Sequence, residues 1–163
     1  MKMRAALLGA VAALGLVPAA FAERGSDGEV KLTFPQAVSI MNPYLSGGTK
    51  DVFAASMVLE PLAGMTPDGV LVPKLAAEIP TVENGGISAD LTSITWKLAP
   101  DLKWSDGTPV TADDAVFTWQ YCTDPEGGCA QATKFEGVAK VEAVDPSTIK
   151  ITFGGPKPNP YTA

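Results

Sequence analysis

Residues 94–119 read ITWKLAPDLKWSDGTPVTADDAVFTW, and this stretch decides how the chain folds. Its first part has large apolar side chains at Ile94, Trp96 and Leu98, separated by Thr95 and Lys97. Because successive side chains of a strand point to opposite faces, this alternation predicts a strand with one apolar face. Trp96 is therefore expected in the core.

The second part of the stretch predicts a tight turn followed by a helix. Residues 105–109, SDGTP, favour a turn, with Asp106 placed to bond the backbone ahead of Gly107. Thr111 suits the N-cap of a helix, and Asp114 lies at the third helical position, which is the spacing of a capping box. Negative charge at a helix start is favourable. We therefore interpret the adjacent Asp113 and Asp114 as capping groups rather than as a catalytic or metal-binding pair.

The C-terminal side of this stretch predicts a β-hairpin. Residues 138–144 and 148–153 are β-prone, and Asp145-Pro146-Ser147 joins them as a turn. Trp119, like Trp96, is expected in the core, whereas the periodicity leaves the place of Trp104 undecided.

The N-terminal side predicts shorter elements. Residues 30–34 alternate and are predicted to form a strand that ends at Pro35. Thr49 is the expected N-cap of a helix that runs to Glu60. Between residues 61 and 93 we expect mostly turns, with a short helical piece at residues 75–78.

Composition and charge exclude several classes of protein. The 163 residues include 16 Gly and 14 Pro, which argues against an all-helical bundle. The formal net charge is −6, the wrong sign for binding a nucleic-acid backbone. The chain contains no His, which excludes Ser-His-Asp and Cys-His catalysis and every zinc site that uses His.

Residues 1–22 have the pattern of a secretory signal peptide. Lys2 and Arg4 precede an apolar run at residues 5–16, and Ala20-Phe21-Ala22 resembles a cleavage site. Cleavage after Ala22 would remove two cations and change the net charge from −6 to −8. No Cys lies near this site for lipid attachment, so we expect a soluble periplasmic protein rather than a lipoprotein.

Cys122 and Cys129 are the two cysteines of the chain. An even number of cysteines at loop spacing in an oxidising compartment favours a disulfide. Two free thiols, or half of a four-cysteine metal site, are the alternatives, although the second has no other ligands in this sequence. A disulfide here would hold the end of the helix that begins after Thr111.

The loop Ser46-Gly47-Gly48-Thr49 is a candidate ligand site. Two glycines allow close approach of a ligand to the backbone, and amides at a helix start suit a carboxylate. An ordinary flexible turn before a helix has the same pattern, and the pattern alone favours that interpretation.

The order of several motifs resembles the family 5 extracellular solute-binding proteins, which are the peptide-, dipeptide- and nickel-binding components of ABC importers. The likeness runs from about Val30 to the end of the chain. Its strongest part is residues 96–119, in which Trp96, Trp104, Asp106, Gly107, Thr111 and Asp114 belong to the family signature. Residues 42–44, 59–62, 73–76 and 135–153 add further matches in the same order.

The resemblance implies a fold class and a domain division. The family has an α/β fold of the two-lobe periplasmic-binding-protein type II. This chain is expected to contain the N-terminal part of the first lobe and most of a small extra domain. We expect residues 1–22 as the signal peptide, 23–48 as the start of lobe I, and 49–163 as the incomplete extra domain of a truncated chain.

The resemblance also implies a function. A periplasmic receptor without catalytic activity would capture a peptide or similar small solute and deliver it to a permease in the inner membrane. We expect a monomer with no cofactor, no resident metal and no nucleic-acid partner. Ser46, Gly47, Gly48 and Thr49 occupy the loop that lines the ligand cavity in related peptide binders, whereas the acidic residue that pairs with a peptide amino terminus lies outside this chain.

A different class of protein fits the composition alone. A secreted, β-rich interaction module with a disulfide and no small ligand would account for the Gly, Pro and Cys content. It would not account for the ordered series of motifs. A hydrolase with paired acids is disfavoured, because no two carboxylates can be placed facing each other from the sequence.

Overall fold

The computed structural model describes residues 28, 29 and 31–162, so the predicted signal peptide and its cleavage after Ala22 lie outside the described residues. The chain divides after Thr33, and the elements below belong to the second unit. Residues 31–34 form no strand, so the strand prediction is wrong for this part of residues 30–34. A short strand needs a neighbour to accept its hydrogen bonds, and no described segment pairs with it.

The described part of the chain has two α-helices and five strands. In chain order these are α1 (Thr49–Ala55), β1 (Ala63–Met65), β2 (Leu71–Pro73), β3 (Ser93–Lys97), α2 (Ala112–Thr123), β4 (Val138–Asp145) and β5 (Thr148–Phe153). Two short 3₁₀ turns, at Ala132–Phe135 and Pro160–Thr162, complete the fold.

A three-stranded antiparallel sheet forms the centre, with β5 between β3 and β4. Trp96 pairs with Ile149, and Ile94 pairs with Ile151. The alternation in β3 leaves Ile94 fully buried and Trp96 4% exposed, which confirms the predicted apolar face. Each such side chain stabilises the fold by roughly 1.5–3 kcal/mol relative to its exposed state.

Helix α2 packs against this sheet, chiefly on β4. The helix begins where the sequence predicts, with Thr111 as N-cap. The Thr111 backbone N–H donates to Asp114 Oδ2 at 2.8 Å, the bond that a capping box requires of the third helical residue. Trp119 packs against the core but is only partly buried, so its predicted core placement is confirmed in part.

Helix α1 is shorter than predicted, because it ends at Ala55 and not at Glu60. The Ser56 hydroxyl donates to the Phe53 carbonyl at 2.7 Å, the oxygen that Met57 would need to continue the helix. The Met57 N–H bonds to the Ala54 carbonyl instead, at 3.2 Å, and the chain continues as turns. The N-cap also differs from the prediction, since Gly48 and not Thr49 holds that position.

Residues 61–93 are less irregular than predicted. β1 and β2 form a hairpin around the Pro67-Asp68-Gly69 turn, in which Gly69 has a φ of 80°. Residues 75–78 form no helix. Ala76 makes a β-bridge with Leu98, and the Ala77 N–H donates to the Lys97 carbonyl at 2.8 Å, so pairing with the end of β3 prevails over local helical preference.

Candidate functional site

The Ser46-Gly47-Gly48-Thr49 loop follows an ordered turn. Oδ1 of the Asn42 side chain accepts a hydrogen bond from the Tyr44 N–H at 2.9 Å, and the Asn42 backbone carbonyl accepts one from the Leu45 N–H at 3.2 Å. Asn favours such a turn because its side chain can bond the backbone two residues on. This turn fixes the direction in which the chain enters the loop.

A buried carboxylate, Asp51, lies directly behind the loop. It is 1% exposed, although Asp is rarely buried unless it is paired. Lys50 Nζ lies 2.8 Å from Asp51 Oδ2, and the Ser46 hydroxyl donates to the same oxygen at 2.7 Å. The Lys50 ammonium, the Ser46 hydroxyl and the Ser39 N–H hold the pKa of Asp51 well below its usual range.

The two glycines of the loop have different surroundings. The Gly48 N–H already donates to Ser46 Oγ at 3.1 Å. A Cβ added at Gly48 would lie 3.4 Å from both Asp51 Oδ2 and Ser46 Oγ. At Gly47 an added Cβ would meet nothing within 4 Å, so this residue faces open space. Gly47 is exposed, whereas Gly48 is half-buried and its N–H is engaged by Ser46.

The disulfide-bonded loop is attached to the same region. Cys122 and Cys129 are joined, with an S–S distance of 2.00 Å. The next residue, Ala130, donates its N–H to the Tyr44 carbonyl at 2.8 Å. Burial raises the pKa of the Tyr44 phenol. The disulfide thus links the end of α2 to the turn that leads into the glycine loop.

The signature residues form a separate, structural group. Asp106 Oδ1 accepts hydrogen bonds from the Thr108 hydroxyl at 2.6 Å and from the Thr108 N–H at 2.9 Å, and these bonds lower the pKa of Asp106. Gly107 has a φ of 89°, which this tight turn requires. Trp104 Nε1 lies 3.4 Å from Asp114 Oδ2. These hydrogen bonds stay within the turn and the start of α2, and Trp96 lies in the core, so none of this group lines the glycine loop.

Asp51 was not predicted as a site residue. Asp51 is the third residue after the N-cap Gly48, a position that is not apparent when Thr49 is taken as the N-cap. With Gly48 as the cap, an acidic residue at that position is the available signal. Its contacts with Ser39 and Ile40, twelve and eleven residues away, have no local signal in the sequence.

Two findings on the described residues concern metal clusters and membrane-spanning helices. No three Asp, Glu or Cys side chains among residues 28, 29 and 31–162 are grouped so that they could hold a metal ion. Within the same ranges, no helix has the length and apolar character needed to cross a bilayer.

Comparison with known proteins identifies the class to which the chain belongs. Residues 70–163 match the family described as bacterial extracellular solute-binding proteins, family 5, middle region. The chain is 32% identical over 112 residues to the periplasmic oligopeptide-binding protein OppA of Escherichia coli. This alignment covers 58% of this chain and 21% of OppA. It is 28% identical over 145 residues to the glutathione-binding protein GsiB of Shigella dysenteriae, which covers 88% of this chain and 27% of GsiB.

Solved structures agree with the sequence matches. OppA of Listeria monocytogenes, bound to peptide, matches with a TM-score of 0.66 and 27% identity over 76% of this chain and 26% of its own. NikZ of Campylobacter jejuni, in complex with Ni(L-His), matches with a TM-score of 0.65 and 28% identity over 76% of this chain and 23% of its own. The chain thus spans about a quarter of the length of these relatives.

The fold and these matches assign the chain to a class of proteins named for binding solutes. The chain belongs to family 5 of the bacterial extracellular solute-binding proteins. It is a mixed α/β portion of that fold.

Proposed function

We propose that this chain is the N-terminal part of a longer receptor that serves an ABC importer. The receptor captures a peptide or a similar small solute between two lobes and delivers it to a permease in the inner membrane. The observation that carries the proposal is the family match over residues 70–163, which includes the sheet and α2. Ligand-driven closure of two lobes is a shift toward the conformation that binds the ligand better.

The proposal includes a location and a domain division. In this proposal residues 1–22 act as a signal peptide that is removed after Ala22, and the mature protein is free in the periplasm. The relative OppA of E. coli is named as a periplasmic protein. Residues 23–48 begin lobe I, and residues 49–163 belong to the small extra domain. The receptor works as a monomer without a cofactor.

Within this receptor, Ser46, Gly47, Gly48 and Thr49 form part of the ligand-binding surface. Support comes from the open space beside Gly47 and from the ordered backbone around it. The Gly48 amide is engaged by Ser46 Oγ, so we assign the approach of the ligand backbone to Gly47.

Calorimetric titration of the full-length mature protein tests this function. Trialanine serves as the peptide probe, and glutathione is the ligand in the name of the relative GsiB. Saturable binding of at least one of them, at a ratio of one per protein, is expected. If neither binds, and the purified protein also carries no small ligand released by acid denaturation, the receptor proposal fails and the interaction module becomes the better interpretation.

A further inference from the structure

Asp51 connects three segments of the chain around one buried carboxylate. Oδ1 accepts the backbone N–H of Ser39 at 2.7 Å and that of Ile40 at 3.3 Å. Oδ2 accepts the Ser46 hydroxyl at 2.7 Å. Lys50 Nζ lies 2.9 Å from Oδ1 and 2.8 Å from Oδ2. Each of these groups donates a hydrogen bond to the Asp51 carboxylate.

The chemistry of this cluster requires a carboxylate. An ionised carboxylate is an acceptor only, with about four lone-pair sites on two oxygens. An amide in its place would direct an NH₂ group at Lys50 and at the Ser46 hydroxyl. Burial of the charge is costly unless it is paired, and here the Lys50 ammonium offsets that cost.

The Asp51 carboxylate contacts the glycine loop at the Ser46 hydroxyl, and the Asp51 N–H donates to the Gly48 carbonyl at 2.9 Å. Ser46 Oγ donates to Asp51 and accepts the Gly48 N–H at 3.1 Å. Asp51 therefore fixes the Ser46 hydroxyl, and that hydroxyl fixes the backbone on one side of Gly47. Removal of the carboxylate frees the hydroxyl to rotate, and the Gly48 N–H loses its fixed acceptor.

We infer that Asp51 is a positioning residue for the ligand loop, which it orders through Ser46 before the ligand arrives. Asp51 does not touch the ligand, and its effect on affinity comes from the loop that it holds in place. Such preorganisation raises affinity because the cost of ordering the loop is met during folding rather than during binding. This inference rests on the proposed function, since it assigns the loop to the binding surface.

The test uses Asp51→Asn and Ser46→Ala in the full-length protein, with Asp145→Asn as the matched control. Asp145 accepts the Ser147 N–H at 2.8 Å in the β4–β5 turn, so the control makes the same chemical change in another hydrogen-bonded turn. Hydrogen exchange is measured at Ser39, Ile40 and Gly48, and trialanine affinity is measured by calorimetry.

The expected result has two parts. In Asp51→Asn all three amides exchange at least about tenfold faster, while β3 and β5 keep their protection. Trialanine affinity falls at least about tenfold in each single variant. A double variant with both Asp51→Asn and Ser46→Ala should show a much smaller fold-loss of affinity than the product of the two single losses, because both changes break the same chain of hydrogen bonds. The Asp145→Asn control leaves the three amides and the affinity unchanged.

Other results overturn the inference in distinguishable ways. Unchanged exchange at Gly48 in both single variants would show that Asp51 does not order the loop. Faster exchange with unchanged affinity would show that the order has no role in binding. If Asp51→Asn fails to fold, Ser46→Ala still tests whether the link through Ser46 orders the loop, because this variant keeps the Asp51 bonds to Ser39, Ile40 and Lys50. A wild type that binds neither trialanine nor glutathione counts against the proposed function, and the exchange data then decide independently whether Asp51 orders the loop.

Discussion

At the scale of single residues, Gly47 offers the sharpest test of the binding surface. Gly47→Leu adds a side chain where an added Cβ meets nothing within 4 Å, so the fold should accept it. The same side chain would occupy the space assigned to the ligand, and trialanine affinity is expected to fall at least about tenfold, or 1.4 kcal/mol. Calorimetry measures the affinity, and urea unfolding measures the stability.

Gly155 provides the matched control for this change. A Cβ at Gly155 also meets nothing within 4 Å, and Gly155→Leu should leave affinity unaltered. Equal affinity in Gly47→Leu and the wild type would remove the glycine loop from the binding surface.

Asp114 is expected to contribute to stability as a capping residue. Asp114→Ala removes the acceptor of the Thr111 N–H and should lower the free energy of unfolding by about 0.5–2 kcal/mol, measured in urea. Asp113→Ala changes the neighbouring carboxylate, which lacks this bond and interacts only with the helix dipole. The capping assignment would be contradicted by an equal loss in the two variants.

Asp51 should make stability depend on pH. Its pKa in the folded protein lies below the ordinary value of 3.8, so its carboxylate stabilises the fold above that pH and this contribution is lost as the pH falls toward the folded-state pKa. The difference in unfolding free energy between the wild type and Asp51→Asn should be constant above about pH 5 and shrink below about pH 4. A difference that stays the same down to pH 3 in urea titrations would argue against a paired carboxylate.

Among single residues, local contacts could be predicted and distant ones could not. The capping bond of Asp114 was predictable because its partner is three residues away. Asp51 was missed because its backbone donors, Ser39 and Ile40, are brought to it by the fold. Sequence spacing carries no information on such pairs.

At the scale of elements, the disulfide should hold the end of α2 and the loop of residues 122–129, which precedes the bond from Ala130 to Tyr44. Replacement of Cys122 and Cys129 by Ser removes a constraint on a short loop, and the chain-entropy model gives a loss of about 2–3 kcal/mol in unfolding free energy. The Ala130 N–H should also exchange faster, because its bond to the Tyr44 carbonyl depends on that loop.

Reduced wild-type protein is the control for this double replacement. It should unfold at a denaturant concentration close to that of the double variant, since both lack the bond. Equal stability of the oxidised protein and the double variant would show that the disulfide contributes nothing to the fold.

Predictability also differed between elements. β3, α2 and the β4–β5 hairpin have clear periodicity and strong turn residues, and the structure confirms all of them. The length of α1 depended on a hydroxyl at Ser56 that competes for the Phe53 carbonyl. Residues 75–78 were drawn into a β-bridge with Leu98, an effect of tertiary pairing that no local pattern shows.

At the scale of the whole molecule, family membership is the firmest conclusion, because an ordered match over residues 70–163 is independent of any single motif. The ligand is less constrained, since the relatives include proteins named for oligopeptide and glutathione binding and a structure in complex with Ni(L-His).

Native mass spectrometry of the full-length protein, purified from the periplasm without added ligand, tests the receptor proposal most directly. We expect a mature chain that begins after Ala22 and carries one non-covalently bound peptide or similar small solute, released on gentle activation. A chain that retains residues 1–22, or that carries no small molecule and takes up neither trialanine nor glutathione, would contradict it.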